Sequence, residues 1–406
     1  MGSTDAQANL FIRPRRFGRT LNMQMIKSFC KLNYQNPGDK SYQEELFLDN
    51  GRNLAVSSNS YKDLRDNFMG EFPVISVSFK DIQGHSYIKA ISNFLDTITD
   101  IYFEFEFLAN STKISNIITE NFMRDFEFCA DTSVDLYKKN NLSRAERIIT
   151  GFLSRLAMML YEEYNRRVIV LIDEYDVPLQ KSIMAEELYY DKMLSIISAI
   201  SSTTFKSDGE DWLHTCIATA CLNIVYQSIF TGPNNFYLHG LDDQTFAGFF
   251  GFTRSETEKF LNDCGLSAQT EVVKDWYDGY RIGDEHILCP WSVISFCDKA
   301  LEEQSNVEPQ PFLVNTSGTD AIKSYFKHLV NGNFTRDIQR IDELLNNVPQ
   351  EITLEVFNTY PDIRKIGVEF DTCMTFFLHT GYLTFTDDSP LYENVFLKIP
   401  NREIRE

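Results

Sequence analysis

The chain has 406 residues, and its 38 basic and 58 acidic side chains give a formal net charge of −20. This length predicts two or three units with a well-filled core. A hydrophobic content of 43% and 33 phenylalanines are typical of a globular protein and exclude a disordered chain. The acidic balance disfavours direct nucleic-acid binding, because such a surface repels phosphate backbones unless a basic patch intervenes.

The sequence also disfavours membrane insertion and secretion. No apolar run approaches the roughly 18 residues that span a bilayer, and residues 1–9 lack a signal-peptide pattern. The eight cysteines are scattered, and several lie in apolar contexts, which is typical of reduced thiols. Cys216 and Cys221 have no partners at zinc-ligand spacing. We therefore expect a cytoplasmic or otherwise intracellular protein with no membrane partner and no zinc site.

The first 220 residues alternate candidate strands with candidate helices. The strands are Leu10–Ile12, Pro73–Phe79, Val168–Ile172 and Leu213–Thr219, and helical spacing begins at Leu21 and recurs over Tyr87–Phe107, Ser143–Arg166 and Glu187–Phe205. This alternation predicts an α/β fold with a doubly wound parallel sheet.

The pattern changes from about His239. A capping box at Thr253–Glu256 opens a helix, further helices are expected over Ala268–Tyr277 and Pro290–Ala300, and Val395–Ile399 is a candidate strand. We therefore predict a core over residues 1–238, a helical lid over 239–340 and a small mixed α/β region over 341–406.

The apolar run from Val168 to Ile172 ends at two adjacent carboxylates, Asp173 and Glu174. A run of this kind is typical of a strand buried on both faces, and open α/β sheets bind ligands at the carboxyl ends of their strands. We interpret the motif as a Walker B strand, in which Asp173 holds Mg²⁺ and Glu174 polarises the attacking water. The alternative is a buried strand followed by solvated acids.

A second motif lies where a phosphate loop belongs. Gly18, Arg19 and Thr20 occupy the Gly-Lys-Thr positions, between a candidate strand and a candidate helix. In such a loop the backbone amides surround a phosphate and the Thr hydroxyl ligates Mg²⁺. However, Arg13 replaces the first glycine of the pattern and Arg19 replaces the lysine. The alternative is a surface-exposed basic turn.

Arginine is a wide planar fork and lysine a compact point charge, so Arg19 is not a conservative replacement. Arg19 can still bind phosphate, but hydrolysis depends on placement in the transition state and is expected to suffer more than binding.

The chain resembles the AAA-ATPase-like family through specific strings in order along nearly its whole length. These are RPRRFG (13–18), FPVISVSF (72–79), VLIDEYDVPL (170–179), SIFTGPNN (228–235), WYDGYRIG (276–283), PWSV (290–293), NTSG (315–318), GYLT (381–384) and KIPNREIR (398–405). The family pattern RPRRFGKS or RPRRFGKT accounts for Arg13, whereas Arg19 is a departure. The segment from Thr219 to Asn223 also departs from the usual Thr-Gly.

The resemblance implies a P-loop ATPase fold with a catalytic glutamate, in which an additional strand lies between the phosphate-loop strand and the Asp-Glu strand. It implies that ATP and Mg²⁺ are the cofactors. Arg16, Phe17, Gly18, Arg19 and Thr20 would bind nucleotide, Thr20 and Asp173 would hold Mg²⁺, Glu174 would position water, and Thr219 or Asn223 would act as sensor.

Two functional readings follow. In the first, the domain binds a nucleoside triphosphate with Mg²⁺ and hydrolyses it weakly. In the second, it is a degenerate scaffold that binds a protein partner, as part of a larger nuclease toxin or effector. Many family members carry a PD-(D/E)xK nuclease after this domain, and no such constellation is expected within these residues.

Two smaller sets of residues leave alternatives open. Asp176 either orients arginines across the site or caps the helix before Pro178. Arg13, Arg15 and Arg16 form a basic cluster that either contacts phosphates or pairs with Asp173 and neighbouring acids.

Overall fold

A computed structural model describes residues 7–48, 54–185, 187–205, 212–222, 236–303, 307–313, 335–354 and 369–406. By internal contacts the chain divides into two compact units. The first comprises residues 20–220 with the described residues of 1–10 and 226–237. The second comprises residues 238–406 with 11–19 and the described residues of 221–225. The further division predicted at residue 340 stays a prediction.

A five-stranded parallel sheet is the centre of the α/β fold, which confirms the predicted fold class. Its strands are β1 (Gln7–Ile12), β2 (Val74–Ser78), β3 (Val168–Asp173), β4 (Leu213–Ala220) and β5 (Phe236–His239). Their order across the sheet is β2-β3-β4-β1-β5, so β4 lies between the strand that precedes the predicted phosphate loop and the strand that ends in Asp173. This is the inserted strand that the resemblance implies.

All six residues of β3 are buried, as its apolar run predicts. Ile169 and Leu171 pack in one cluster with Met23 of the following helix and Val74 of β2. Because side chains alternate along a strand, the remaining apolar residues of β3 point to the opposite face of the sheet. Helices therefore cover both faces, and this strand has no solvent-exposed side.

The structure describes eight helices in the first unit, of which the first, fourth, sixth and eighth lie where helical spacing predicts them. They are α1 (Arg19–Cys30), α2 (Ser41–Phe47), α3 (Lys62–Phe68), α4 (Tyr87–Glu104), α5 (Asn116–Ala130), α6 (Lys139–Tyr164), α7 (Val177–Met184) and α8 (Tyr190–Phe205). The Ser86 side chain caps α4 by accepting from the Lys89 amide, and α6 ends at Asn165 in the left-handed conformation. Both are common ends for helices, because they satisfy backbone groups that the helix leaves unpaired.

The second unit combines helices with two small antiparallel sheets. Its helices are α9 (Arg254–Asp263), α10 (Thr270–Tyr277), α11 (Pro290–Glu303), α12 (Thr335–Leu345), α13 (Phe370–Thr380) and α14 (Arg402–Arg405). One sheet has the order β6 (Phe252–Thr253), β8 (Glu285–Leu288), β7 (Tyr280–Ile282), and the other has β10 (Thr384–Phe385), β11 (Asn394–Lys398), β9 (Gln350–Thr353). The predicted capping box is present, with Thr253 and Glu256 bonding reciprocally.

Among the residues that the structure describes, no helix is both long and apolar enough to cross a bilayer. All eight cysteines fall within the described ranges, and each is a free thiol.

Candidate functional site

Within the first unit, two threonine hydroxyls meet the Asp173 carboxylate at the carboxyl end of β3. Thr20, in the first turn of α1, donates from Oγ1 to Asp173 Oδ2 at 2.6 Å. Thr219 of β4 donates from Oγ1 to Asp173 Oδ1. Asp173 is 7% exposed and Thr219 is fully buried, whereas Thr20 is exposed. The structure thus brings together a carboxylate and a hydroxyl that the sequence places 153 residues apart.

Glu174 directly follows this carboxylate and has a left-handed backbone, with φ of 54°. Its amide donates to Thr219 Oγ1 at 3.3 Å, and the Tyr175 amide donates to the Thr219 carbonyl at 3.0 Å. A non-glycine residue in this conformation is uncommon outside turns and costs free energy, and such residues cluster at functional sites. Nothing in the sequence pattern indicated this strain, because glutamate has no preference for the left-handed region.

Asp176 occupies the cap position of α7, but its side chain does not bond the free amides of the helix. Gln180, one turn later, donates to its carboxylate instead. Asp176 is almost fully buried, at 1% exposure. Asp176 therefore stands at the capping position that was one of the two predicted alternatives. Its side chain bonds the Gln180 side chain and not the helix backbone.

In the second unit, Arg13 is fully buried and its guanidinium is surrounded by backbone carbonyls. Nη1 donates to Ile12, His239 and Gly240 at 2.7, 2.9 and 2.8 Å, and Nη2 donates to Phe246 at 3.1 Å. Burial lowers the pKa of Arg13 to about 10, against the opposing effect of Asp243 and Asp242. Arg13 thus fixes the backbone before the predicted phosphate loop, which explains why a large residue stands where the general pattern has glycine.

The rest of the predicted loop makes different contacts. Arg16 has φ of 69°, is exposed, and lies over the Trp291 ring at 4.3 Å from the centroid. Phe17 is buried edge-on against Tyr280, at 4.9 Å between centroids. Gly18 has φ of 76° and open space where a Cβ would point. Arg19 opens α1 and is 7% exposed. The contact between Arg16 and Trp291 was not predicted. The PWSV string, which contains Trp291, was the sequence signal that could have indicated a role for this tryptophan.

Three of the family strings meet in the second unit. Gly279 of WYDGY has φ of 134°, and a Cβ there would collide with the Pro400 carbonyl of the IPN string. Asn401 Nδ2 donates to the Tyr277 carbonyl at 3.1 Å. Ser292 of the PWSV string donates to the buried Glu403 carboxylate at 2.7 Å. These strings are therefore linked by packing, which their separation in sequence conceals.

Asp173 and Thr20 offer a carboxylate oxygen and a hydroxyl oxygen, which are the ligands that Mg²⁺ prefers. Because Mg²⁺ keeps several waters and phosphate oxygens, two protein ligands are enough to hold it. Over the described ranges, no cluster of three or more His, Cys, Asp or Glu residues could hold a metal by itself. The donor set therefore fits a metal that is shared with a phosphate ligand.

Some predicted residues cannot be placed. Asn223, the predicted alternative sensor, lies outside the described residues, as do the strings SIFTGPNN and NTSG. Thr219, the other predicted sensor, is described, and it contacts both Asp173 and Glu174.

The strand order, the inserted strand β4 and the acids that follow β3 define an α/β protein of the P-loop NTPase type. A family model described as predicted AAA-ATPase matches residues 3–230, more than half of the chain. The chain belongs to this AAA-ATPase-like family. Comparison with curated proteins and with solved structures returned no match.

Proposed function

We propose that this protein binds a nucleoside triphosphate, ATP by family resemblance, together with Mg²⁺, and hydrolyses it slowly. The observation that carries the proposal is the pair of hydroxyls on Asp173, with the strained Glu174 beside it. The amides of Gly18 to Thr20, at the first turn of α1, supply the donors for phosphate. Arg16, Phe17 and Arg19 complete this nucleotide-binding set.

Mg²⁺, when bound, neutralises charge on the phosphate oxygens. Thr20 and Asp173 would hold it, and the Thr20 hydroxyl, which donates to Asp173 in this structure, would offer its oxygen to the metal. Thr219 keeps one oxygen of Asp173 hydrogen-bonded and therefore orients the carboxylate. Glu174 accepts a proton from the attacking water. The hydrogen bond from the Glu174 amide to Thr219 holds in place the backbone from which this side chain extends.

Slow turnover follows from Arg19. The guanidinium replaces the lysine ammonium at the position that contacts the transferred phosphate, and its planar geometry differs from a point charge. Binding needs only the positive charge, whereas hydrolysis needs that charge placed on the transition state. We therefore assign the larger penalty to the rate of hydrolysis.

The second candidate function is a non-hydrolysing protein-binding scaffold. Burial of Arg19 favours it, because a side chain only 7% exposed is packed as part of the fold. In that case the wild type neither binds nucleotide in a Mg²⁺-dependent way nor releases phosphate.

Nucleotide binding and phosphate release by the wild type and three variants distinguish the two functions. Glu174→Gln should keep nucleotide affinity within about threefold and lower turnover about 100-fold, as for loss of a general base. Arg19→Lys should raise turnover. Glu120→Gln, at an exposed glutamate of α5, is the matched control and should change neither quantity. Phosphate release by the wild type at the Glu174→Gln level, without Mg²⁺-dependent binding, contradicts the proposal.

A further inference from the structure

Trp291, in the first turn of α11, exposes its indole ring beside the predicted phosphate loop. Its exposed fraction is 42%, whereas the other two tryptophans, Trp212 and Trp276, are 3% and 9% exposed. Tryptophan is enriched at binding surfaces, because its ring combines a large apolar area with a polar edge. The contacts proposed above for the nucleotide leave this ring without a role.

Two contacts within the second unit hold Trp291 against the loop. The terminal carbon of the Arg16 guanidinium lies 4.3 Å from the centroid of the indole ring. Cys289, two residues before Trp291, donates from Sγ to the Arg16 carbonyl at 3.6 Å. Arg16 is itself two residues before Gly18, so the two backbones are at most about 7 Å apart. The ring therefore lies beside the amides that are proposed to bind phosphate.

The indole is also fixed along its polar edge. Its Nε1 donates to the Phe312 carbonyl at 3.3 Å, and Phe312 packs against the core of the second unit. The next residue, Ser292, donates to the buried Glu403 carboxylate at 2.7 Å, which anchors the start of α11. These bonds oppose rotation of the ring away from the loop. A ring with a fixed orientation has little conformational entropy to lose when a ligand stacks on it.

The group that covers the indole, the Arg16 guanidinium, resembles a nucleobase in shape. A guanidinium is planar and delocalised, and it stacks on aromatic faces as a base does. Bound phosphates would draw this exposed cation away from the ring, because a charge-assisted bond to phosphate is stronger than an exposed cation–π contact. The indole face would then be open to another flat group. In a nucleotide the ribose and the α-phosphate separate the base from the β-phosphate, so the base belongs beside the loop.

We propose that Trp291 binds the base of the nucleotide by stacking, and that Arg16 covers the indole face until the phosphates bind. This inference rests on the proposed nucleotide function and extends it from the phosphates to the base. Trp291 contributes to binding and takes no part in hydrolysis. The site therefore binds a nucleoside triphosphate more tightly than inorganic triphosphate, which has no base.

Calorimetric titration with Mg²⁺ compares a non-hydrolysable ATP analogue with inorganic triphosphate. Trp291→Leu should weaken binding of the analogue about tenfold, as for loss of one base–aromatic stack, and leave triphosphate affinity within about twofold. Trp291→Phe should keep the affinity for the analogue within about threefold, because phenylalanine retains the stack and loses only the bond to the Phe312 carbonyl. Tyr392→Leu, at an exposed aromatic residue before β11, is the matched control and should change neither affinity.

The two ligands separate the outcomes. If the indole acts only through its bond to Phe312, Trp291→Phe and Trp291→Leu weaken both ligands equally, and the proposal is overturned. It is also overturned if Trp291→Leu binds the analogue as tightly as the wild type does. A wild type that binds the analogue no more tightly than triphosphate overturns this inference alone. A wild type that binds neither ligand overturns the nucleotide function and this inference with it.

Intrinsic fluorescence keeps the proposal testable if Trp291→Leu does not fold, because Trp291 is the least buried of the three tryptophans. The bound analogue should quench the fluorescence of the wild type. The quenching should be absent in Trp291→Phe, although this variant retains its affinity. Wild-type fluorescence that does not change at saturation with the analogue overturns the proposal.

Discussion

At the scale of single residues, Glu174 combines backbone strain with the expected catalytic carboxylate. A left-handed conformation costs a non-glycine residue about 1–2 kcal/mol, and asparagine tolerates it better than glutamate. Glu174→Asn should therefore raise the free energy of unfolding by about 0.5–1 kcal/mol while it abolishes phosphate release. Chemical denaturation and a phosphate assay measure the two effects.

Glu393 offers a matched control for the opposite effects of Glu174→Asn on stability and on phosphate release. It also has a left-handed backbone, with φ of 64°, but it is exposed in the second unit next to β11. Glu393→Asn should stabilise the protein by a similar amount and leave phosphate release unchanged. Loss of stability in Glu174→Asn would contradict the assigned strain.

Arg13 shows how one buried cation organises a loop. Arg13→Lys retains the charge but cannot reach four carbonyls at once, so buried acceptors lose their donors. We expect a loss of about 2–4 kcal/mol in the free energy of unfolding. Arg16→Lys, at the exposed arginine over Trp291, should cost less than about 1 kcal/mol. Equal effects of the two changes would contradict the structural role of Arg13.

His379 near the end of α13 gives the protein a dependence on pH. Burial lowers the pKa of His379 to about 4. The unfolded chain, with an ordinary histidine pKa near 6.5, therefore binds the proton more readily than the folded chain. The stabilising contribution is complete above pH 6.5 and is lost as pH falls toward 4, by about 2–3 kcal/mol.

Denaturation midpoints at pH 7 and pH 4.5 test this dependence. His379→Gln should flatten the difference between the two pH values, whereas His85→Gln, at an exposed histidine of the first unit, should retain it. An unchanged pH dependence in His379→Gln would assign the effect to other groups.

At the scale of elements, the sequence predicted the parallel core well. Strand β3 is a continuous apolar run, whereas polar residues such as Ser76 and His214 interrupt β2 and β4. Helices α4, α6 and α8 have clear helical spacing. The position of β4 between β1 and β3 was also predicted, although only the resemblance implied it. The capping box at Thr253 was predictable because both of its bonds are local in sequence.

The small antiparallel sheets were less predictable. Strands β6 and β10 have only two residues each, too few for an alternation to be recognised. The candidate site was predictable as a set of residue types, since Thr20, Asp173 and Glu174 stand in recognisable strings. The contact of Thr219 with both acids and the left-handed backbone of Glu174 depend on tertiary geometry, which no local pattern encodes.

The close contact between Gly279, after α10, and Pro400, before α14, gives a testable prediction. A Cβ on Gly279 would collide with the Pro400 carbonyl, and its φ of 134° is strained for other residues. Gly279→Ala should therefore destabilise the protein by more than about 3 kcal/mol, through overpacking and backbone strain together. Thermal unfolding measures this effect.

Gly265 is the matched control for this substitution. It has φ of 73° but open space around the position of a Cβ. Gly265→Ala should cost only about 1–2 kcal/mol from the backbone. If both glycines tolerate alanine equally, the contact with Pro400 does not constrain the fold.

At the scale of the whole molecule, the chain combines a P-loop-type α/β core with a unit that contains the strings WYDGY, PWSV and IPN. The first unit supplies the acids of the proposed nucleotide site. The strong net negative charge of −20 would raise a long-range barrier to an anionic nucleotide. We therefore expect nucleotide affinity to rise with ionic strength at constant Mg²⁺, at least until salt screens the local phosphate contacts.

The proposed function depends on a Mg²⁺-dependent nucleotide site at Asp173. Calorimetric titration of a non-hydrolysable ATP analogue into the wild type, Thr20→Ala and Thr335→Ala tests it most directly. Thr335 is an exposed threonine in the first turn of α12, so its variant controls for loss of a hydroxyl at a helix start. We predict binding that requires Mg²⁺ in the wild type and in Thr335→Ala, and affinity at least tenfold lower in Thr20→Ala. Equal binding with and without Mg²⁺, or no binding by the wild type, would contradict the proposed nucleotide site.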